Sequence, residues 1–439
     1  MARNCLIVSY YFPPTGGAGV QRIVKLIKYA SRKAWRFTVI TAEESSNFQP
    51  RDSSLLSEIP QGTKIIRAEA ILPAQKFRLV KNTNLFNKSA YWKRWLGAFV
   101  HIPDSRKSWN IEVKKSIDRE MRKNDYDCIL ITSPPYSLTI LAFELQQNLS
   151  IPVILDMRDP WSTHPYKLHP TFFHKWLNKK LEHKIMTSIK RGIHVCKRQL
   201  DDYAISIQGF NRNNWAVITN GYDKEDFIGI KGSKDVNGID FNIAFLGTIH
   251  ADINSPEYLF RAIKYLKRQG KKSDKIIRFH HIGHSAVSIK RLAEKYGIEE
   301  QVTLWGYRPH NEALEILTSM NAFFQIHHPR YKDSKYIIGG KMYEYLYLKK
   351  PILAVVPQES EVADIIKDTD CGEIVSSVKT QDIAAALLKI KNGQNYKFHN
   401  TERYERKSLA DRFISVFMEA CTENVRQTAM RSDKKHPIV

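Results

Sequence analysis

Cysteine is scarce in this 439-residue chain. The five cysteines, at positions 5, 128, 196, 371 and 421, are odd in number, scattered, and form no CxxC pair. That excludes a disulfide framework and a cysteine-rich zinc site, and it fits a reducing compartment. Long apolar runs are missing too. The first stops at Tyr10-Tyr11-Phe12-Pro13-Pro14, too short for a secretion signal. Nowhere do about 18 to 20 apolar residues run together, so no membrane-spanning helix is expected. The dinucleotide pattern GxGxxG is absent, as are helix-turn-helix, zinc-finger and RNP signatures.

Acidic residues are in deficit: 45 Asp and Glu stand against 68 Lys and Arg, a net charge of +23. Such a surface seeks polyanions, either nucleic acid or anionic lipid. The excess is concentrated in residues 76–123, with 13 basic and 4 acidic residues, and in 167–198, with 9 and 1. Within 174–190, Trp176, Leu177, Leu181, Ile185 and Ile189 recur near helical spacing beside Lys175, Lys179, Lys180 and Lys184. Tyr91-Trp92-Lys93-Arg94-Trp95-Leu96 has a similar character. Either helix alone reads as an ordinary domain helix with a solvated face. Together, and without a nucleic-acid module, they point to a cytoplasmic protein on the inner face of an anionic membrane, with no nucleic-acid partner.

What is present is an alternation of short apolar runs and helical periodicities, the pattern of parallel α/β architecture. Strands are expected at Leu6–Val8, Phe37–Thr41, Lys64–Arg67, Cys128–Thr132, Val153–Asp156 and Trp215–Ile218. In the second half they fall at Asn242–Leu246, Ile276–Ile282, Val302–Leu304, Ala322–Ile326, Ile352–Val356 and Glu373–Val375. The expected division is a first Rossmann-like domain over 1–223, a Gly-rich linker at 224–240 and a second domain over 241–401. A helix over 402–426 that packs back on the first domain, and a polar tail over 427–439, complete it. In such folds ligands meet the loops after the strands.

Three of those loops carry unusual residues. Tyr11 to Arg22 contains Gly16, Gly17 and Gly19 between the first strand and first helix, where backbone can approach a ligand and the helix start favours anions. The same glycines could serve turn geometry alone. Asp156-Met157-Arg158-Asp159-Pro160-Trp161 places three charges within four residues after a strand, suited to hydroxyl and anion contacts or to a structural Arg–Asp pair. Gly339-Gly340-Lys341 opens a helix with Glu344 one turn on, followed by the strand from Pro351. Lys341 beside helix-start N–H groups suits phosphate, and a carboxylate one turn away suits ribose hydroxyls. The alternative is an exposed Lys–Glu pair worth a few tenths of a kcal/mol. His280-His281-Ile282-Gly283-His284 and His327-His328 end strands and lack the ligand spacing of a metal site.

Taken together, these segments resemble the family 4-like glycosyltransferases of the GT-B fold, many from bacterial surface-polysaccharide pathways. The match runs through YxPPxGGxGxxR, DxRDPW, Thr219-Asn220-Gly221-Tyr222-Asp223, Phe245-Leu246-Gly247, Trp305-Gly306-Tyr307-Arg308-Pro309 and the Lys341–Glu344 helix, in order along most of the chain. The resemblance implies two Rossmann-like α/β domains facing a central cleft, a nucleotide-diphosphate sugar donor, a glycan or lipid-linked acceptor, retention of configuration, and neither cofactor nor metal. It implies that Gly16 and Gly17 meet the diphosphate, with Gly340 and Lys341, the catalytic cation, reaching it from the other domain, and that Gly247 also binds the donor. Gly306 and Tyr307 hold the base and Glu344 the ribose, while Arg158 and Asp159 act on the acceptor and transferred-sugar side. The sequence departs from the family at Tyr336, where the first Glu of E-x7-E belongs, and at Thr248-Ile249-His250-Ala251, where Arg and Lys are usual; Arg330 or Lys335 are candidates for the missing positive charge. A nucleotide-sugar epimerase on the same fold is the alternative activity, and a basic nucleic-acid-binding protein a more distant one.

Overall fold

A computed structural model of the chain describes residues 2–44, 52–69, 95–164, 167–236, 238–250, 254–269, 275–285 and 287–433. It separates into two units, residues 1–220 with 406–439 and residues 221–405. Each is built on one all-parallel sheet, two α/β domains as the strand–helix alternation requires.

The first sheet has seven strands: β1 (Arg3–Ser9), β2 (Trp35–Ala42), β3 (Lys64–Ala68), β4 (Cys128–Ser133), β5 (Val153–Met157), β6 (Gly192–His194) and β7 (Trp215–Val217). Their order is β3-β2-β1-β4-β5-β6-β7. Successive side chains of a strand point to opposite faces, and β1 uses both for core. Leu6 and Val8 pack with Trp109, Leu138 and Leu141 on one face; Cys5 and Ile7 pack with Ile23, Val24 and Ile27 on the other. The final helix, Arg406–Asp433, joins that second face through Leu409, Phe413 and Phe417. It begins four residues after the expected start because Thr401–Tyr404 is a 3-10 turn, and its backbone stays helical to Asp433, through the first half of the expected tail.

The second sheet has six strands: β8 (Phe241–Leu246), β9 (Ile277–Ile282), β10 (Val302–Gly306), β11 (Ala322–Ile326), β12 (Ile352–Val355) and β13 (Gly372–Val375). Their order is β10-β9-β8-β11-β12-β13. Ile243 and Phe245 face Leu259, Phe260 and Leu387, while Ala244 faces Leu317, Met342 and Leu346. Residues expected to form a linker are already part of this unit. Tyr222 is buried and its N–H donates to Tyr404 O at 3.1 Å, and Phe227, Ile230 and Val236 pack on the same cluster.

In both sheets the order reverses once, between β1 and β4 and between β8 and β11. The carboxyl ends beside such reversals are where open α/β sheets bind ligands.

Candidate functional site

In the second unit, three adjacent strands end in glycine. Gly247 after β8, Gly283 after β9 and Gly306 closing β10 have φ of 113°, 138° and 68°, in the region that side-chain-bearing residues rarely adopt. Gly247 N–H donates to Ile282 O at 2.7 Å and Gly283 N–H to Gly306 O at 2.8 Å. A Cβ on Gly283 would overlap the Gly247 carbonyl. The result is a terrace of bare backbone, flanked by His284 stacked on exposed Tyr307 at 5.2 Å.

The helix Lys341–Leu348 is locked beside this terrace. Tyr345 lies flat on Phe323, ring centroids 4.0 Å apart, and its hydroxyl accepts the Leu246 N–H at 2.8 Å, one residue before Gly247. That anchor sets Lys341 over β8. Its Nζ sits 3.0 Å from the Phe245 ring centroid, and its chain passes 4.0 Å from where a Cβ on Gly247 would be. Lys341 is largely buried and Glu344 is buried, so the two are not a solvated surface pair. Burial pushes the Lys341 ammonium well below the usual lysine range, opposed by the Glu344 charge.

Two imidazoles share this environment. His281 Nε2 lies 2.9 Å from Gly247 O, so that nitrogen carries the proton. Burial lowers its pKa to about 4, a Gly247 hydrogen bond opposing and Lys341 adding to the shift. At the end of β11, the Gln325 amide N–H groups donate to Ile338 O and to His327 Nε2, each at 3.2 Å. The His327 proton therefore sits on Nδ1. Burial, with Lys341 adding, lowers its pKa to about 3. Both rings are neutral at pH 7. His280 is occupied by Asn242 Oδ1 at 2.9 Å and Trp305 Nε1 at 3.2 Å. Taken unit by unit, the described residues hold no three His, Cys, Asp or Glu ligand atoms close enough to share an ion. Arg330 packs on Tyr331 and Lys335 on Tyr336.

In the first unit, Gly17 caps the helix Ala18–Ser31 with φ 110° and is exposed, while Gly16 is buried. Gly19 has no room for a Cβ, which would overlap the Arg158 guanidinium. Arg158 is buried and donates through Nε to Ser133 O at 3.3 Å and through Nη2 to Pro134 O at 2.9 Å, joining the end of β4 to the first helical turn. The structural Arg–Asp pair of this loop uses its own Asp156 but takes its arginine from the first helix. Arg22 donates to both Asp156 oxygens, at 3.1 and 2.7 Å, and to the carbonyls of Ile218 and Thr219. Asp156 also accepts from Thr132 at 2.9 Å. This pair is buried and pins the loop from which Asp159 projects, half-buried, near His164 and Tyr136.

Several residues here were not singled out in the sequence. Lys167 lies 4.4 Å from the Tyr136 ring centroid and 5.4 Å from that of Trp161, and donates to Asn178 Oδ1 at 2.8 Å. Burial takes its pKa down to about 8, opposed by Asp104 and Glu182. Arg106 lies over Tyr10 and Tyr11. Gln325 likewise carries no local signal of its role; Phe245 and Arg22 stand inside the motifs quoted above, but nothing in those motifs tells what they touch.

Residues 233–408 match the sequence family described as glycosyl transferases group 1. No curated protein matches the chain at significant sequence similarity. In structure, 99% of the chain superposes on all of a sucrose-phosphate synthase from Thermosynechococcus elongatus, at 12% identity and a TM-score of 0.59. The apo lipopolysaccharide outer core galactosyltransferase WaaB is similar over 95% of this chain and 99% of that one, at 12% identity and a TM-score of 0.58. A Listeria monocytogenes protein assigned as a UDP-N-acetylglucosamine 2-epimerase is similar over 96% and 98%, at 12% identity and a TM-score of 0.55. At such identities the likeness is one of fold, shared by transferases and epimerases alike.

Proposed function

Because residues 233–408 match the family of group 1 glycosyl transferases within a fold of the GT-B type, we propose that the chain is a glycosyltransferase that moves a sugar from a nucleotide-diphosphate donor to a glycan or lipid-linked acceptor, with retention of configuration. The observation that carries the proposal is Lys341. Its largely buried ammonium is held over Phe245 beside Gly247, with the Glu344 charge favouring its protonated form. Breaking a glycosyl–phosphate bond leaves negative charge on the diphosphate, and a cation already desolvated at that place stabilises it without reorganisation.

The glycine terrace lets a diphosphate approach the strand ends without a Cβ in the way, Glu344 takes the ribose, and Gly306 and Tyr307 border the base. Neutral His281 and His327 offer hydrogen bonds without adding charge. A nucleoside diphosphate is a good leaving group, so the reaction needs neither a protonating carboxylate dyad nor a metal. Arg158 holds the loop of the first unit and Asp159 acts on the acceptor side. The basic first half keeps the enzyme at the inner, anionic face of a membrane.

The test is donor turnover across a panel of nucleotide sugars, with and without glycan acceptors and in the presence of a chelator. Acceptor-dependent, chelator-resistant release of nucleoside diphosphate is expected. Acceptor-independent conversion of the donor into an epimeric nucleotide sugar, without release of nucleoside diphosphate, moves the assignment to an epimerase, and loss on chelation removes the metal-free mechanism.

A further inference from the structure

The charge of the first unit is accompanied by an apolar edge. The helix Phe172–Ser188 begins with Phe172, Phe173 and Trp176 turned to solvent, Phe172 being 85% exposed. A helical segment at 95–100 lies against this start and exposes Leu96, Phe99 and Val100. The two segments are fastened together. His174 Nε2 donates to Phe99 O at 3.0 Å, its ring packs on Phe99 at 4.9 Å, and its Nδ1 takes the Thr171 hydroxyl at 2.7 Å. Phe173 stacks on Trp176 at 5.8 Å, and Lys180 lies 5.1 Å from the Trp176 ring. Single exposed apolar residues are ordinary, but six on two joined segments form a patch that marks an interaction site.

The partner is defined by what surrounds the patch. Lys175, Lys179, Lys180 and Lys184 are exposed along the same helix, and neither 95–100 nor 171–181 contains an acidic residue. A wedge of Phe and Trp within a lysine collar suits a bilayer interface, where aromatics enter at the headgroup level and ammonium groups meet anionic lipid. The helix cannot lie flat in that interface along its length, because Ile185 and Met186 are in the core and Leu181 packs against it. Only its first two turns are available.

We infer that Phe172, Phe173 and Trp176, with Leu96, Phe99 and Val100, insert into an anionic bilayer. This deepens the membrane reading above and rests on it: charge draws the enzyme to the surface, and the aromatic wedge holds it there.

Co-sedimentation with vesicles of phosphatidylethanolamine and phosphatidylglycerol, at low and high salt, tests this. Wild type binds at low salt and keeps part of its binding at high salt. Phe172→Ser with Phe173→Ser weakens binding about a hundredfold at both salts, since each inserted aromatic contributes about a factor of ten. Phe172→Leu with Phe173→Leu recovers most of it. Lys175→Gln, Lys179→Gln and Lys180→Gln together remove the salt-sensitive part only. All of these variants keep wild-type turnover on a water-soluble acceptor, because the side chains are exposed. If the serine variant binds like wild type while the glutamine variant does not, the wedge is refuted and electrostatic attachment stands. If wild type ignores every vesicle, the membrane reading itself falls. Lipid-independent self-association lost in the serine variant would overturn the inference in favour of a second copy of the chain.

Discussion

Replacing Lys341 by Met sets stability against turnover. Methionine keeps the length of the side chain and removes only the charge. In the folded protein that charge is largely buried, with neutral His281 and His327 nearby and only Glu344 raising its hold on the proton. Desolvating an ion costs several kcal/mol. The contact with Phe245, 3.0 Å from Nζ to the ring centroid, returns about 2 kcal/mol. A methionine sulfur over the same ring would recover about 1 kcal/mol of that contact without the desolvation. The variant should therefore be more stable than wild type by about 1 kcal/mol or more, a rise of roughly 2–4 °C in midpoint for a domain of this size. Turnover should fall about 10²- to 10³-fold, as expected when a group stabilising transition-state charge is removed. Thermal or urea unfolding without ligand, beside steady-state transfer at saturating donor, measures both. A loss of stability with the loss of turnover would make Lys341 a structural cation. Near-wild-type turnover would refute its role altogether.

Glu344→Ala should weaken nucleoside diphosphate and nucleotide sugar equally, about ten- to a hundredfold, because both carry the ribose; calorimetry reads it, and a loss confined to the sugar nucleotide would move Glu344 away from the ribose. Asp159→Asn should lower turnover while leaving nucleotide affinity unchanged, and the reverse pattern would remove this loop from the acceptor side. Arg22→Met should cost about 3–5 kcal/mol by leaving buried Asp156 without its fork, seen as a lower urea midpoint; a loss under 1 kcal/mol would contradict the anchoring role. The buried histidines predict acid lability. His280 and His281, with pKa near 4, and His327, near 3, are neutral when folded but protonate near 6.5 when unfolded. The unfolded chain thus binds more protons between about pH 6.5 and 4, and stability falls through that window by several kcal/mol as pH drops. A flat stability from pH 7 to 4.5 would refute it.

Among the described residues twelve of the thirteen strands were legible, the central ones because a strand buried on both faces must read as a short apolar run and edge strands such as β3 from a shorter apolar pair, Ile65-Ile66. The exception, β6 at Gly192–His194, has three residues and no run. It is a strand because of what lies on it: a Cβ on Gly192 would overlap the Trp215 ring of β7, so its small size is set by a neighbour 23 residues on. The unit boundary was misplaced for a related reason. Glycines at 229, 232 and 238 mark turns, but composition does not say what the residues between them pack against, and Tyr222, Phe227 and Val236 pack into the second unit.

The candidate site divides along the same line. Gly340, Lys341 and Glu344 lie within five residues, so helical periodicity alone places them together. The groups that stand beside Lys341 are Phe245, His281 and His327, on β8 or at the ends of β9 and β11. Their proximity follows from the order β9-β8-β11, which no local pattern encodes. Arg22 and Asp156 are a sharper case. They stand 134 residues apart and meet because the helix after β1 lies against the end of β5. Asp156 and Arg158 share one short motif with every appearance of a local pair, yet the buried carboxylate takes the distant Arg22, and Arg158 turns to the carbonyls of Ser133 and Pro134. The motif is thus two devices in one: Asp156 and Arg158 fix the loop, which leaves Asp159 as its charged side chain free of that task.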